Sequence, residues 1–401
     1  MKLPRVAVVS DLLEERWHSM DLVAEILLLG LRSQDARVVD AVQLRPAMVR
    51  RLTRVPGLRT LRAVDTADRI VNRVWDYGRW LAPRVSEYDL FHIVDHSYAH
   101  LVAQLPPERT VVSCHDVDAF DGLLPGSPPQ SWVGRLLGRR LLQGLVSARQ
   151  IVCGSVATRN ALVAHAVVPA SRIAVVPYGV HPVYLARPDV AAAADVAARL
   201  GEPDPDCPEL LHVGSTIPRK RIDVLLDTFA EVRRQHPGAR LIRVGGPFTA
   251  RQARHAASLG LTEAVTVMPF VERRQLAALY RRAAVLLQPS AKEGFGLPVA
   301  EAMACGTPVV ASDLEALREV GGTAAVYCGV ADVPRWAAAV SALLDERAAQ
   351  PGTWRERRSA AVIQARRFDP LEHARRMSDL YLELLPDAGR ARASHLRLVA
   401  G

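Results

Sequence analysis

Short apolar runs recur along this chain, each bounded by turn or polar residues and separated from the next by a longer amphipathic stretch. That rhythm is the pattern of strands joined by crossover helices, which restricts the fold to the α/β class. A first set of strands is expected at Val6–Ser10, Ala36–Val39, Leu90–Val94, Thr110–Ser113, Gln150–Cys153 and Ile173–Pro177. A second set restarts at Glu209–Val213, Arg240–Val244, Val265–Met268, Val285–Gln288, Pro308–Ala311 and Ala325–Tyr327. Between the sets lies an Ala-rich patch followed by Glu202-Pro203-Asp204-Pro205-Asp206-Cys207-Pro208, whose prolines interrupt regular structure. Two doubly wound, Rossmann-like domains are therefore expected at 1–187 and 209–386, joined by a linker at 188–208 and followed by a basic tail at 387–401. The last helix is free to pack back on the first domain. Such sheets bind ligands beyond the carboxyl ends of their strands, so the two domains are expected to face each other across a cleft.

Composition narrows the classes. With 49% hydrophobic and 23% charged residues, the 401-residue chain lies far from the disordered regime. The formal charge of +9 calls for an anionic partner. Aromatics are only 5% and do not interleave with Lys and Arg, which argues against nucleic acid. The five cysteines stand singly, without metal-type or redox-type spacing, as expected of reduced thiols in the cytoplasm. The apolar run after Met1 meets Asp11, Glu14 and Glu15 too soon for a signal peptide, and no run of about 18 uncharged apolar residues follows.

The most informative stretch runs from Pro289 through Lys292-Glu293-Gly294-Phe295-Gly296-Leu297-Pro298 to Glu301. A strand ends before it, two glycines permit a tight loop, and proline suits the first turn of the helix that follows. Amides at a helix start present donors and a positive dipole end to an anion or a hydroxyl. A second loop, Gly214-Ser215-Thr216-Ile217-Pro218-Arg219-Lys220-Arg221, sets three cations at the start of another helix. Charge of that kind stabilises a departing diphosphate. In the first half, Val111-Val112-Ser113-Cys114-His115-Asp116 ends a buried strand on a His-Asp pair. His92, His96 and His100 recur at helical spacing; metal ligation and polar lining of a cleft are both open to them.

Taken together, these segments resemble the retaining glycosyltransferases of family 4 (group 1), which have the two-Rossmann GT-B fold. The likeness rests on Glu293, seven residues and Glu301 in a Gly-Phe-Gly-Leu setting, and spans most of residues 110 to 345. It implies that Glu293 binds hydroxyls of a donor sugar. Gly294, Phe295, Gly296 and Leu297 would offer amides to sugar and diphosphate, and Glu301 would hold ribose hydroxyls. Arg219 and Lys220 match the pair used on the diphosphate, after Gly214; Ser215 stands where many members carry Arg, which leaves the division of labour between the two cations open. His115 matches the residue that contacts the reacting sugar, and Phe270 and Val271 fall where backbone meets the nucleobase. Val175 to His181 resembles the Val-Pro-Asn-Gly-Val turn, with Tyr178 for Asn and Gly179 read as a turn needing positive φ.

The implied activity is retaining, metal-independent transfer of a hexose such as mannose or glucose from a nucleoside diphosphate sugar to a glycan or lipid-linked hydroxyl. Cell-envelope or exopolysaccharide synthesis is the expected setting, with no cofactor. A sugar-nucleotide epimerase or a silent nucleotide-sugar-binding subunit on the same scaffold are the alternatives. A dinucleotide dehydrogenase is excluded, because no Gly-x-Gly-x-x-Gly follows Val6–Ser10. Finally, Arg45, Arg50, Arg51, Arg54, Arg59 and Arg62 lie among leucines with no acidic residue between Ala41 and Val64. Contact with anionic membrane at the inner face and a solvated Arg-rich surface are equally open readings.

Overall fold

The computed structural model describes residues 3–33, 38–54, 62–118, 132–165 and 167–385. The chain forms two compact units. The first comprises Met1–Gly179 together with Pro370–Gly401, and the second Val180–Asp369. The division thus falls at Gly179/Val180, ahead of the expected linker. Residues 188–208 are not a free connection: their alanines build a helix, Val190–Leu200, N-capped by Asp189 and lying within the second unit. The tail at 387–401 lies outside the described residues.

In the first unit, β1 (Arg5–Val9), β2 (Asp40–Leu44), β3 (Leu90–Ile93), β4 (Thr110–Cys114), β5 (Gln150–Cys153) and β6 (Ile173–Val175) form one parallel sheet in the order β2-β1-β3-β4-β5-β6. The second strand lies beyond the expected Ala36–Val39. The ladder opens with the Asp40 amide on the Pro4 carbonyl, and Arg5 pairs with Asp40. As an edge strand, β2 alternates in burial rather than forming a continuous apolar run, and the first two residues of the expected Ala36–Val39 lie outside the described residues.

One face of this sheet is closed by the helices His18–Arg32 and Pro370–Leu384, so the chain returns to the first unit to finish its core. Val6, Val8, Leu27, Leu31, Met377 and Tyr381 share that cluster. The two helices approach so closely that a side chain on Gly30 would come within 2.5 Å of the Ala374 Cβ. Gly179 is likewise required for space. It lacks the expected positive φ, but a Cβ there would sit 2.6 Å from the Pro370 Cα.

The second unit repeats the design with β7 (Glu209–Val213), β8 (Arg240–Val244), β9 (Val265–Met268), β10 (Val285–Gln288), β11 (Val309–Ser312) and β12 (Ala325–Cys328). Its order, β12-β11-β10-β7-β8-β9, is entirely parallel. In each sheet the connections change direction at one place, between β1 and β3 and between β7 and β10. Loops leaving those strands diverge and leave a crevice, which is where open α/β sheets bind ligands. Because Met377 is 1% exposed within the core that the returning helix completes, Met377→Ala is expected to lower stability by about 2–5 kcal/mol, read by urea denaturation.

Candidate functional site

The two loops singled out in the second half leave β7 and β10, the strands that flank the reversal of its sheet. Glu293 joins them. Its Oε1 accepts from Lys220 Nζ at 2.6 Å, Gln288 Nε2 at 2.6 Å and Ser290 Oγ at 2.7 Å, and its Oε2 accepts from Arg219 Nη1 at 3.3 Å. The backbone repeats the tie: the Ala291 amide donates to the Arg219 carbonyl at 2.7 Å, and Arg219 Nη1 also donates to the Lys292 carbonyl. Burial would raise the Glu293 carboxyl, but the Lys220 and Arg219 charges and the Lys220 and Ser290 hydrogen bonds outweigh it and hold the group down at about 2. The side chain is an acceptor fixed in place and charged at any neutral pH.

Each loop hands over to a helix with no side-chain cap. Pro218–Lys220 make one tight turn, Arg221 takes a left-handed conformation at φ 47°, and Ile222–Gln235 follows. Gly296, at φ 106°, starts Leu297–Ala304 with Pro298 in its first turn. Glycine is demanded there twice over, since a Cβ would also lie 2.5 Å from Leu317 Cδ2. Phe295 turns its ring inward, edge-on to Phe368 at 5.5 Å, which leaves its main chain for any ligand role. Glu301 lies on the following helix with the Tyr280 hydroxyl donating to its Oε2 at 2.8 Å and Tyr184 also hydrogen-bonded to it. Burial pushes this carboxyl up to about 7, against the lowering effect of both tyrosines and Arg273.

Beneath the loops lies a feature that sequence reasoning missed. His212 and Arg243 are paired across β7 and β8 and are fully buried. Arg243 donates to the carbonyls of Gly214, Gly245 and Gly246, and its Nε finds no partner among the described residues. Both ring nitrogens of His212 are buried without a partner there too, and burial, with Arg243 and Lys220 nearby, lowers its pKa to about 3. The available signal was a cation and an imidazole at inward positions of two central strands. Gln288, Ser290, Tyr280 and Tyr184 were also passed over, because only the folded loops bring them to Glu293 and Glu301.

The remaining expected residues are dispersed. Ser215 is half-buried beside Gly214 at the end of β7. Phe270, exposed, and Val271, half-buried, follow β9 at the outer edge of the sheet. His115 belongs to the first unit and is buried, with Nδ1 on the Tyr178 hydroxyl at 2.7 Å and Nε2 on the Val94 carbonyl at 2.6 Å. Nε2 therefore carries the proton, and burial lowers the ring's pKa. Tyr178 fits there because a Cβ on Gly154 would collide with its ring at 2.3 Å. His92 is spent in the core between Tyr381 and Ser113, and His100 faces the Arg73 carbonyl at 2.8 Å, so the three spaced histidines take separate partners.

Comparison with known proteins places the fold. Among solved structures, Anabaena Alr3699/HepE in complex with UDP and glucose superposes with a TM-score of 0.69 at 15% identity, covering 94% of this chain and 99% of that one. Sucrose-phosphate synthase from Thermosynechococcus elongatus gives 0.66 at 20% identity, over 95% and 99%. The architecture is the GT-B fold of glycosyltransferases.

Residues 22–183 match the model of Glycosyltransferase Family 4, and residues 207–346 that of Glycosyl transferases group 1. A D-inositol 3-phosphate glycosyltransferase of Streptomyces bingchenggensis (strain BCW-1) is 31% identical over 79% of this chain and 71% of its own length. That of Thermobispora bispora is 34% identical over 66% of this chain, which spans 62% of it. The chain belongs to the group 1 glycosyltransferases.

The Glu293 cluster predicts a signature in acid. A carboxyl lowered from 4.5 to about 2 stabilises the fold above pH 4.5, and that contribution is lost as pH falls toward 2. Glu293→Gln is expected to cost on the order of 3 kcal/mol at pH 7, with the deficit against wild type shrinking progressively below pH 4.5, in denaturant titrations run at each pH.

Proposed function

We propose that the protein is a retaining, metal-independent hexosyltransferase that takes a sugar such as mannose or glucose from a nucleoside diphosphate donor. The receiving group is a hydroxyl of a glycan or lipid-linked acceptor, and the setting is envelope or exopolysaccharide synthesis in the cytoplasm. The observation that carries this reading is the convergence of Arg219, Lys220 and Glu293 at the reversal point of the second sheet. Two cations beside two helix starts suit a diphosphate, while Glu293 has the acceptor geometry for sugar hydroxyls. Glu301 would take the ribose diol, for which a carboxylate can accept two hydrogen bonds at once. The structures that contain UDP, or UDP and glucose, add support from the fold.

Charge building on the departing diphosphate would be met by Arg219, Lys220 and the helix-start amides, so the chemistry has no need of a divalent ion. In the retaining route the leaving phosphate accepts the acceptor's proton. That agrees with His115, whose ring nitrogens are both engaged; its part would be to contact the sugar after releasing the Val94 carbonyl. Purified protein screened against UDP-, GDP- and ADP-sugars is expected to be thermally stabilised by one donor and to release its nucleoside diphosphate slowly. Glu293→Ala should cut that release by about 100-fold. Stabilisation by no donor would defeat the reading.

We further propose that the first unit touches anionic membrane. Arg45 is spent on Asp21 at 2.6 Å, and Arg51 on Asp76 through two bonds of 2.6 and 2.8 Å. Arg59 lies outside the described residues, and Arg62 begins the helix Arg62–Val71. Arg50 and Arg54 are exposed beside Val49 and Leu52, in a segment tied down by Asn72 and Asp68, and Trp75 on the same helical stretch is 61% exposed. Among the described residues, no helix is long and apolar enough to cross a membrane. Vesicles rich in phosphatidylglycerol should sediment the wild type, and Arg50→Ala/Arg54→Ala/Trp75→Ala should reduce the bound fraction at least about threefold. Equal sedimentation of the two would refute the contact.

A further inference from the structure

The reversal point of the first sheet is also furnished. Asp11 follows β1 and Asp95 follows β3, the neighbouring strands on either side of it. The two carboxyls are 3% and 2% exposed and hydrogen-bonded to each other. Asp95 is otherwise satisfied by the Ser97 amide at 2.8 Å and the Ser97 hydroxyl at 2.7 Å. Asp11 is not: its Oδ2 is buried with no hydrogen-bond partner among the described residues, and the same is true of Glu15 Oε2 four residues on. Asp116 adds a fourth carboxyl, 3.7 Å from Nε2 of His96, whose Nδ1 lies 3.4 Å from Asp95. Of the guanidiniums that act on Glu15, Arg73 and Arg69, Arg73 is 3.7 Å from Glu15 Oε1, stacks on Trp17 and Tyr98, and donates to the Ser97 carbonyl.

Bringing carboxyls together away from water opposes folding, through both desolvation and repulsion. Here burial and Asp95 hold the Asp11 carboxyl well above the usual range, so Asp11 keeps the shared proton toward Asp95 and its Oδ2 is an acceptor. Asp11 Oδ2 and Glu15 Oε2 are thus acceptors that lack donors among the described residues, although the Glu15 carboxyl also bonds the Tyr98 hydroxyl, and carboxyls outnumber the cations around them. Hydroxyl and ammonium groups answer both conditions, and a phosphate answers neither.

We propose that Asp11 and Glu15 form an acceptor subsite for a hydrogen-bond-donating, unphosphorylated group, the hydroxyl or amine edge of a polyol or amino sugar. This rests on the transferase reading above, since it names the chemical class that receives the sugar. A phosphorylated polyol such as inositol 3-phosphate would bring its dianion against Glu15, Asp95 and Asp116.

The test is calorimetric titration of the full chain with myo-inositol, glucosamine and D-inositol 3-phosphate, each with and without UDP, GDP or ADP. Myo-inositol or glucosamine is expected to bind at least about tenfold more tightly than D-inositol 3-phosphate. Tighter binding of glucosamine identifies an amine and tighter binding of myo-inositol a hydroxyl edge. Asp11→Ala and Glu15→Gln should each weaken that binding about tenfold and leave nucleoside diphosphate affinity unchanged, which general loss of structure would not do. Should Asp11→Ala fail to fold, Glu15→Gln, at a more exposed position, decides alone. The proposal is overturned if D-inositol 3-phosphate binds more tightly than both other probes, if neither of those binds, or if the folded variants keep full affinity. Failure to bind any nucleoside diphosphate would instead strike the transferase reading, while the nucleotide-free titrations still judge the subsite.

Discussion

Lys220 and Glu293 are 73 positions apart in sequence and 2.6 Å apart in space, and the two loops of the second unit are joined through that contact. Apart from the single turn Pro218–Lys220, the loops have no regular structure of their own. What holds them is one carboxylate taking four side-chain donors from both sides, reinforced by a backbone bond between Ala291 and Arg219. Low local dielectric makes each of those bonds stronger than it would be in water, and equally makes any missing partner expensive. The loops are therefore set as a pair, and the helices they start, Ile222–Gln235 and Leu297–Ala304, inherit their positions from the same contact.

Sheet order supplies the other constraint. Parallel strands cannot be joined by tight hairpins, so every connection crosses over through a helix or long loop, and each sheet has one place where successive crossovers part. In the second unit that place receives Gly214–Lys220 and Ser290–Gly296; in the first it receives Asp11 and Asp95. One site sets Arg219, Lys220 and Arg243 around Glu293, while the other gathers Asp11, Asp95 and Glu15 beside Arg73. The two halves have the same architecture and carry opposite electrostatic character at equivalent points.

Much of this could be read from residue order, and the exceptions have physical causes. Central strands such as Thr110–Cys114 and Val285–Gln288 are buried throughout, so they appear as mainly apolar runs without alternation. The edge strand Asp40–Leu44 is half exposed, and its polar alternation was passed over in favour of the neighbouring valines. Alanines between 190 and 198 have no pattern that distinguishes a linker from a helix until Asp189 is seen capping them. Glu293, Arg219 and Lys220 were recognisable by their loops, but the contacts among them are tertiary. Arg243 and His212 were missed because a charged or polar residue within a strand is ordinarily assigned to the surface. Asp11 gave no sign of its role, since its partner Asp95 is adjacent only through the sheet order.

Arg243 has a consequence for the energy of the fold. Its guanidinium meets three backbone carbonyls and no carboxylate, and although burial lowers its pKa to about 10 it stays protonated at neutral pH. Arg219 and Lys220 meet the Glu293 carboxylate, whereas Arg243 has only carbonyl partners among the described residues. Strand pairing between β7 and β8 fixes Arg243 in that place. The protein therefore carries a buried charge held by carbonyl dipoles in place of a counter-ion, a local cost that the rest of the fold offsets.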